Sequence, residues 1–437
     1  MAPEIILAFV MAALIIVTIL IGIPVAFSLA SVPLIFGFFV LGPKVFSLVI
    51  VNAFGMMTSY VFVAVPLFIF MGALMERSGI ADKLYDSFYH LLGPLPGGLA
   101  IATVAMATIF GACTGIIGAG VITIGLLALP AMLKRGYNKS LATGAIMVGG
   151  GLGVTIPPSV LLILYGCSAG VSIAKLFIAA IIPGVMLGIM YMIYIYLRAK
   201  ITPQMGLPIS KEDRISGSKL ARMVSTSLIP PIFLILAVLG SIFFGIVSPS
   251  EAGAMGVLGS LILITLYGRL NRKLFTESVT ATLRIASAII LVAWGGKLFT
   301  GVFVSMGGDA GLRAFLQGFQ FGYTGTVIML LLIVFFLGMV MDWIAMIFIL
   351  VPIFGPILKT IGIDPLYFGI LFCTTLEIAN MTPPFAYSVF YMKTIAPPEV
   401  TVGDMYWGCI PFALVDAGCT ALLLLFPALV MWLPSLM

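Results

Sequence analysis

Charged residues are scarce in this sequence, and histidine is nearly missing. Only 8% of the 437 residues are charged and 62% are hydrophobic, whereas an ordinary soluble domain has roughly 25% charged residues. A soluble fold cannot bury so much apolar surface, so the soluble classes are excluded. The single histidine, His90, and the lack of an H-E-x-x-H motif or a Cys/His ligand set exclude zinc hydrolysis.

Other functional signatures are also missing. No G-x-x-x-x-G-K-[ST] phosphate loop occurs, so the sequence does not predict ATP binding. The net charge of +6 comes from basic residues in short loops between apolar runs, which is the positive-inside pattern and not a nucleic-acid patch. We expect no cofactor and no nucleic-acid partner. The cysteines lack metal-ligand spacing and are expected to be small packing residues: Cys113, Cys167, Cys373, Cys409 and Cys419.

Long apolar runs cover the chain. The first run follows Glu4 instead of a basic cluster and is too long for a signal peptide, so it indicates mature protein. Lipid is therefore the expected solvent along almost the whole chain. The pattern predicts an all-α polytopic protein of the bacterial inner membrane. The runs lie near residues 4–42, 60–75, 96–133, 138–166, 174–197, 226–248, 252–268, 285–304, 324–358, 365–392 and 407–434.

The topology follows from the basic loop at residues 198–223, which we place in the cytoplasm. Runs 96–133 and 324–358 are too long for single helices, because at 1.5 Å per residue they exceed the ~30 Å membrane core. Each run also has a break near its middle, so we predict two re-entrant hairpins. Both termini then face the periplasm. The basic loop contains Arg198, Lys200, Lys211, Arg214, Lys219 and Arg222 against Glu212 and Asp213.

An internal repeat occurs at an offset of 226 residues. Under this topology the two copies enter from opposite sides, which predicts an inverted repeat with a binding site at the midplane. The offset superimposes Pro130 on Pro356, Gly136 on Gly362, Pro157 on Pro383, Pro158 on Pro384 and Tyr165 on Tyr391, with Asn138 on Asp364 as a near match. The expected domains are N-terminal scaffold helices and a connecting arm (1–95), a first transport repeat (96–166), further scaffold helices (167–323), a second transport repeat (324–392) and a C-terminal span (393–437).

Each copy contains a hairpin with a broken tip, followed by a discontinuous helix with a double proline. The tips are GACTGIIGAG (111–120) and GMVMDW (338–343), and the breaks are GGGLGVTIPPS (149–159) and EIANMTPPF (377–385). Proline removes a backbone donor and frees carbonyl groups. Within lipid, free carbonyls are tolerated where they line a cavity or bind a ligand, so the breaks predict sodium sites. The alternative is a simple kink satisfied by neighbouring hydroxyl groups.

Ionisable residues inside the apolar runs are further candidates, because burying them is costly. Asp342 at the second tip either tunes the ion site or pairs with a buried cation. Glu377, three residues before Asn380 on the same helix face, has the same two interpretations. Lys297 either meets a substrate carboxylate, extends towards water or pairs with a group inside the protein. The sequence indicates no role for Asp416.

Two other functional classes fit the sequence less well than a transporter. An intramembrane aspartyl enzyme would need two facing carboxylates, and Asp342 with Glu377 is the available pair. A channel needs a continuous pore, whereas broken helices in inverted repeats favour alternating access. The sequence therefore predicts a transporter and no enzyme.

The breaks TIPPS and MTPPF, the turn LALPAMLKRGYNKSLATG and the segment MDWIAMIFILVPIFGPIL resemble the large membrane subunit of tripartite ATP-independent periplasmic (TRAP) transporters. The resemblance covers essentially the whole chain. It implies an elevator-type symporter driven by sodium that takes up a small organic acid. It also implies a periplasmic binding protein and a separate small four-helix membrane subunit, with residues 44–58 at or near that subunit. The second interpretation is a self-sufficient sodium–carboxylate symporter.

The resemblance also implies site residues. The first tip has Gly111 and Cys113 where serines are expected, so ligation there is expected from the backbone. The substrate candidates are Ser159, Asp342, Asn380 and Lys297. Both hairpins and both broken spans are expected to move as one body. The implied sodium ligands are Gly111, Thr114, Gly153, Ile156 and Pro158 in one site and Gly338, Met341, Ala379, Thr382 and Phe385 in the other.

Overall fold

A computed structural model describes residues 3–210, 212, 214, 215, 217–311 and 322–437, and this part of the chain is helical without a strand. Lys211 and Asp213 of the basic loop, and residues 312–321 of the predicted scaffold, lie outside it. The helices are α1 Pro3–Leu20, α2 Val25–Leu41, α3 Lys44–Met57, α4 Tyr60–Arg77, α5 Ile80–Leu92, α6 Gly98–Thr114, α7 Ile117–Lys134, α8 Lys139–Thr155, α9 Val160–Ala169, α10 Ile173–Ile201, α11 Ser218–Phe243, α12 Pro249–Leu266, α13 Arg272–Ser305, α14 Gly322–Gly338, α15 Trp343–Ile361, α16 Pro365–Met381, α17 Tyr387–Ile395, α18 Val402–Leu425 and α19 Ala428–Met431.

The described helices have the dimensions and surface of a multi-pass membrane protein. Eight of them are long and apolar enough to cross a membrane, and up to nine spans result if α8 and α9, bent by 41°, are counted as one. Large apolar side chains face outward: Phe39 is 82% exposed, and Met57 and Tyr60 are each 85% exposed. Such a surface is stable only against lipid or another protein.

Helices α6 and α7 form the first predicted hairpin. Both pack on α8, so their contacts with α8 define their directions. Residue numbers in α6 increase in the same direction as those in α8, whereas residue numbers in α7 decrease in that direction. Helices α6 and α7 are therefore antiparallel. The contacts that show this are Ala107 at Gly149, Gly111 at Gly153, Gly120 at Gly150 and Gly125 at Ile146.

Helices α14 and α15 form the second hairpin around α16. Tyr323 lies near Tyr367, and Gly338 contacts Ala379, so α14 runs parallel to α16. Helix α15 reverses into α16 through the turn at Gly362, with the Phe354 and Phe368 ring centres 6.0 Å apart. The prediction of two helical hairpins is confirmed.

The 226-residue offset is preserved in the helix boundaries. Helices α7 and α15 begin at residues 117 and 343, and α8 and α16 begin at residues 139 and 365. Gly136 and Gly362 precede α8 and α16 with left-handed φ angles of 71° and 74°, which glycine adopts without steric cost. Asn138 and Asp364 then cap these helices by accepting hydrogen bonds from backbone N–H groups. Equivalent turn and cap residues therefore define the starts of α8 and α16 in the two copies of the repeat.

The two copies are inverted relative to each other. The Tyr165 hydroxyl, near the end of the first broken span, donates to the Pro365 carbonyl at the start of the second, at 2.8 Å. In reciprocal fashion, Lys139 at the start of the first span donates to the Glu399 carbonyl beyond the second, at 2.5 Å. The spans α8–α9 and α16–α17 therefore run antiparallel, and the predicted inverted repeat with two discontinuous helices is confirmed.

The remaining helices surround these four segments. Helix α2 packs on α13 and α4 packs on α12, whereas α10 and α18 pack on the broken spans. Gly184 of α10 contacts Ile156, and Gly408 of α18 contacts Ser140 and Gly144. The predicted domain boundaries stay a prediction, but α10 and α18 have extensive contacts with the predicted transport repeats.

The described part of the basic loop connects both ends of the first hairpin. The N–H of Gly97 donates to the Gly206 carbonyl at 3.0 Å, and the N–H of Asn138 donates to the Met205 carbonyl at 3.0 Å. The N–H of Ile209 donates to the carbonyl of Gly93 at 2.9 Å. The ends of α5–α6 and α7–α8 are thereby held on one side of the molecule.

Candidate functional site

The first tip packs directly on the first broken span. A Cβ atom built on Gly111 would lie 2.9 Å from the Cα and N atoms of Gly153, so this approach is possible only for glycine. The Thr114 hydroxyl oxygen lies 3.6 Å from the Cβ position of Gly153, and the Pro158 carbonyl oxygen lies 3.2 Å from that of Gly115. Four of the five implied ligands of the first site therefore lie in or beside one tip-to-break contact.

Each break deprives two carbonyl groups of their helical donors, because both of its prolines lack an N–H group. At the second break one of the two, the Ala379 carbonyl, accepts instead from the N–H of Thr382 at 3.1 Å. The residues four positions after Gly153 and Asn380 are Pro157 and Pro384, which have no N–H group. Other carbonyl groups near the breaks are satisfied locally: the Ser159 hydroxyl donates to the Val154 carbonyl at 2.5 Å, and the Thr382 hydroxyl donates to Ile378 at 2.6 Å. The kink interpretation thus accounts for part of each break, and the Gly153 and Asn380 carbonyls remain for a ligand.

The remaining implied ligand of the first site, Ile156, lies at the end of α8 and faces α10. The Ile156 side chain is buried against Gly184 of α10, and its N–H donates to the Leu152 carbonyl at 2.8 Å. The carbonyl of Gly111 already accepts from the N–H of Gly115 at 2.9 Å and from the Thr114 hydroxyl at 3.4 Å. Any ion at this site would therefore share the Gly111 oxygen with the tip's own hydrogen bonds.

The second tip has the equivalent arrangement with different side chains. Gly338 contacts Ala379, and the N–H of Phe385 donates to the Met339 carbonyl at 3.3 Å, which joins the tip to the break. The N–H of Met341 donates to Leu337 at 2.8 Å within the tip. Thr382 caps the end of α16 through its bond to Ile378. The residues of the second implied site thus lie partly in the second hairpin tip and partly in the second helix break, which contact each other.

Two of the four substrate candidates use their polar groups within the chain. The Ser159 hydroxyl donates to Val154 and accepts from the N–H of Leu162 at the start of α9. Asp342 accepts from the N–H of Ile344 at 3.0 Å as the N-cap of α15. Asn380 differs, because it is 1% exposed and neither its amide nitrogen nor its amide oxygen has a partner among the described residues. An unsatisfied buried amide is costly, so Asn380 is a strong candidate for ligand contact.

Lys297 lies apart from the two tips. Its Nζ atom is 5.4 Å from the centre of the Phe62 ring, within the range of a cation–π contact. It lines a cavity of about 430 Å³ together with Cys167, Ser172, Ser248 and Ser250. Ser172 and Ser248 are the N-caps of α10 and α12, and helix N-termini favour anions. The cavity therefore combines one cation with the N-terminus of α10 and with that of α12, which the Glu251 carboxylate already caps.

Comparison with known proteins decides the family. Residues 12–429 match the family model described as "Tripartite ATP-independent periplasmic transporter, DctM component". This chain belongs to the DctM family.

Relatives agree with this assignment, and a solved structure has a similar fold. The ectoine TRAP transporter large permease protein TeaC of Halomonas elongata is 32% identical over 98% of this DctM-family chain and 99% of its own. The C4-dicarboxylate TRAP transporter large permease protein DctM of Pseudomonas aeruginosa is 26% identical over 86% of each chain. The fold of the YdaH transporter of Alcanivorax borkumensis is similar, with a TM-score of 0.64 over 89% of each chain at 15% identity.

Asp416, for which the sequence indicates no role, is buried among helices of this DctM-family chain. Asp416 of α18 is 1% exposed and accepts a hydrogen bond from the hydroxyl of Tyr191 in α10. Glu377 of α16 is fully buried nearby, and its carboxyl interacts electrostatically with that of Asp416. The sequence shows that Asp416 is a carboxylate within an apolar run, but it does not show which helices pack beside this residue.

Proposed function

We propose that this DctM-family chain carries a small organic acid across the bacterial inner membrane by sodium symport, as the large membrane subunit of a TRAP transporter. The observation that carries the proposal is the pair of inverted contacts between a hairpin tip and a broken helix, at Gly111 with Gly153 and at Gly338 with Ala379. Each contact adjoins a carbonyl group without a helical donor. Oxygen-lined breaks near the midplane suit a hard monovalent cation, which supports sodium as the coupling ion.

The solute class rests on the relatives and on the Lys297 cavity. The names of two relatives specify ectoine and C4-dicarboxylate, both of which carry carboxylate groups. The Lys297 ammonium group and the N-terminus of α10 favour an anion by charge and by donor geometry, whereas the N-terminus of α12 is already capped by the Glu251 carboxylate. Lys297 is then a contact for the solute carboxylate on its way to the tips.

Replacing Lys297 with glutamine is expected to raise KM for an anionic solute about tenfold, because it removes one charge-assisted hydrogen bond. Uptake kinetics in proteoliposomes measure the effect. The matched control is Lys175→Gln, because Lys175 is an exposed lysine near the start of α10 and does not line the cavity. Equal effects of the two substitutions would remove Lys297 from the solute path.

The partner proposal rests on the family and on α3. The DctM component is one part of a tripartite transporter that also has a small membrane component and a periplasmic binding component. Helix α3 presents an exposed apolar stripe, with Phe46, Ile50, Phe54 and Met57 50%, 68%, 68% and 85% exposed. This stripe lies within residues 44–58, and we assign it to the small four-helix subunit.

Omitting the periplasmic binding protein is expected to abolish uptake in proteoliposomes that contain both membrane subunits. The same vesicles with the binding protein and an inward sodium gradient should accumulate the solute. If this chain alone transports at the full rate without either partner, it is a self-sufficient symporter and the tripartite proposal is wrong.

We further propose an elevator mechanism, in which both hairpins and both broken spans move as one body. The packing of α10 and α18 on the broken spans adds these two helices to that body. By contrast, α11 faces α6 and the first break across an apolar cavity of about 450 Å³. A loosely packed boundary of this kind can slide without breaking polar contacts.

A further inference from the structure

The N-terminus of α7 lies in the first hairpin tip and has no cap. The N–H groups of Ile117, Gly118 and Ala119 have no acceptor among the described residues, and Ile116 at the N-cap position offers no side-chain oxygen. Ile117 and Gly118 are buried. The first N–H groups of a helix need partners, and an unsatisfied N–H group away from water is costly. This helix end is therefore available to a ligand that accepts hydrogen bonds.

The second repeat shows which chemical group fits such a helix end. The 226-residue offset superimposes Ile116 on Asp342, which is the N-cap of α15. The Asp342 carboxyl group accepts from the N–H of Ile344 at 3.0 Å and also faces the N–H groups of Trp343 and Ala345. Charge and geometry both favour a carboxylate at this position. The second hairpin thus supplies its own carboxyl group, whereas the first hairpin has an isoleucine there.

Ser388 has a buried hydroxyl group without a partner in the described part of the chain. It is 0% exposed and lies in the first turn of α17. Buried hydroxyl groups in other helices, such as those of Thr103 and Thr143, donate to the carbonyl four residues earlier. For Ser388 that carbonyl belongs to Pro384, which accepts instead from the Tyr406 hydroxyl at 3.2 Å. An unsatisfied buried hydroxyl group is costly, so Ser388 independently indicates a ligand.

Helix register places Ser388 beside the N-terminus of α7. The Tyr391 ring contacts Gly118, with Cε1 2.8 Å from the position of a Cβ atom built there, and the Ile395 side chain contacts Gly125. Residue numbers increase in the same direction along these contacts, so α7 and α17 run parallel. Ser388 lies one turn before Tyr391 on the same face of α17, and a helical tyrosine side chain points back towards that turn. The Ser388 hydroxyl therefore lies at the level of the first residues of α7.

The first tip joins two helix ends of opposite polarity. Helix α6 ends at Thr114, and α7 begins at Ile117. The carbonyl groups at the end of α6 favour a cation, which agrees with Gly111 and Thr114 as implied sodium ligands, whereas the N–H groups at the start of α7 favour an anion. A cation and an anion bound at the same tip stabilise each other by charge.

We propose that the N-terminus of α7 and the Ser388 hydroxyl bind a carboxylate group of the transported solute. The solute carboxylate takes the place at α7 that the Asp342 carboxyl group takes at α15. Sodium at the first tip then strengthens solute binding, which couples the two fluxes. This site deepens the proposed function and rests on it for the identity of the solute as an organic acid carried with sodium.

Thermal unfolding of this chain in complex with its small membrane subunit tests the site without any transport. Formate is the probe, because it is the smallest carboxylate and needs no knowledge of the rest of the solute. Sodium formate is expected to raise the unfolding temperature of the unsubstituted complex by about 1–3 °C relative to the same concentration of sodium chloride. Equal unfolding temperatures in the two salts would overturn the proposal.

Ile116→Asp gives α7 the cap that Asp342 gives α15, so the variant should occupy the site with its own carboxyl group. Its unfolding temperature in sodium chloride should rise by about 1–3 °C, and formate should have no further effect. Ile116→Leu leaves the three N–H groups uncapped and should keep the formate effect. A formate effect that persists in Ile116→Asp would show that formate binds elsewhere and would overturn the proposal.

Uptake kinetics test Ser388 separately. Ser388→Ala is expected to raise KM for the organic acid about tenfold, because it removes a hydrogen bond to a charged group. The matched control is Ser260→Ala, at a buried serine of α12 whose hydroxyl donates to the Gly256 carbonyl at 2.8 Å. Equal KM values in the two variants would remove Ser388 from the site and overturn the proposal.

Failure of the proposed function gives a different result. Uptake of the acid by the unsubstituted protein without sodium would contradict sodium symport, but the formate measurements would still decide whether α7 binds a carboxylate. Sodium-driven uptake of the acid that is unchanged in both Ile116→Asp and Ser388→Ala would instead contradict this site alone.

Discussion

Replacing Gly111 with alanine is expected to reduce sodium-driven uptake at least about fivefold. The added methyl group would lie 2.9 Å from the Cα and N atoms of Gly153, which are backbone atoms that cannot rotate away. Tip and break must then separate, at the cost of about 1–3 kcal/mol typical of overpacking. The equivalent loss in sodium affinity is roughly 5- to 150-fold. Uptake as a function of sodium concentration in proteoliposomes measures it.

A control substitution is available at Gly153, on the other side of the same contact. A methyl group on Gly153 would lie 3.4 Å from the Cα and O atoms of Gly111 and 3.6 Å from the Thr114 hydroxyl oxygen, which is ordinary van der Waals contact. Gly153→Ala should therefore keep most of the sodium affinity. In α11, Gly240→Ala meets no atom within 4 Å and controls for insertion. Equal sodium affinities in Gly111→Ala and Gly153→Ala would show that this contact does not form an ion site.

A reversible crosslink between Ala112 and Leu239 is expected to abolish uptake. Both residues line the cavity between α6 and α11, at the boundary between the proposed moving body and the scaffold. A disulfide or short thiol crosslinker between cysteines at these positions, in a background without the native cysteines, prevents relative movement. Reduction should restore uptake, which shows that the loss is mechanical.

The control crosslink lies within the proposed moving body. Gly118 of the first hairpin contacts the Tyr391 ring of the second broken span. Cysteines at Gly118 and Tyr391 join the two repeats without joining either to the scaffold, so this crosslink should leave uptake intact. An active Ala112–Leu239 crosslink would rule out movement of a rigid body against α11.

Much of the architecture could be predicted from the sequence because its causes are local. The double prolines at residues 157–158 and 383–384 define both breaks, and apolar runs too long for one span define both hairpins. Gly136 with Asn138, and Gly362 with Asp364, are turn and cap signals whose equal spacing revealed the repeat. These features require no knowledge of which helices are neighbours.

The side-chain environment could not be predicted, because it depends on contacts between distant segments. The hydroxyl of Ser159 was predicted to contact substrate, but its geometry is that of a helix cap bonded to Val154. Whether it also contacts substrate stays a prediction. Glu377 could be singled out as a buried carboxylate, but its position against Gly151 and opposite Asp416 depends on how the repeats cross. Asp416 itself has no local signal beyond its apolar surroundings.

The measurement that tests sodium-coupled transport most directly is solute-dependent uptake of radioactive sodium. ATP-free proteoliposomes would contain this chain and its small membrane subunit, with the periplasmic binding protein outside. Adding the loaded binding protein should start sodium influx together with uptake of the organic acid, and Gly111→Ala should reduce both in parallel. Undiminished accumulation of the acid after sodium has been removed from both sides, or acid uptake without any sodium influx, would contradict sodium symport.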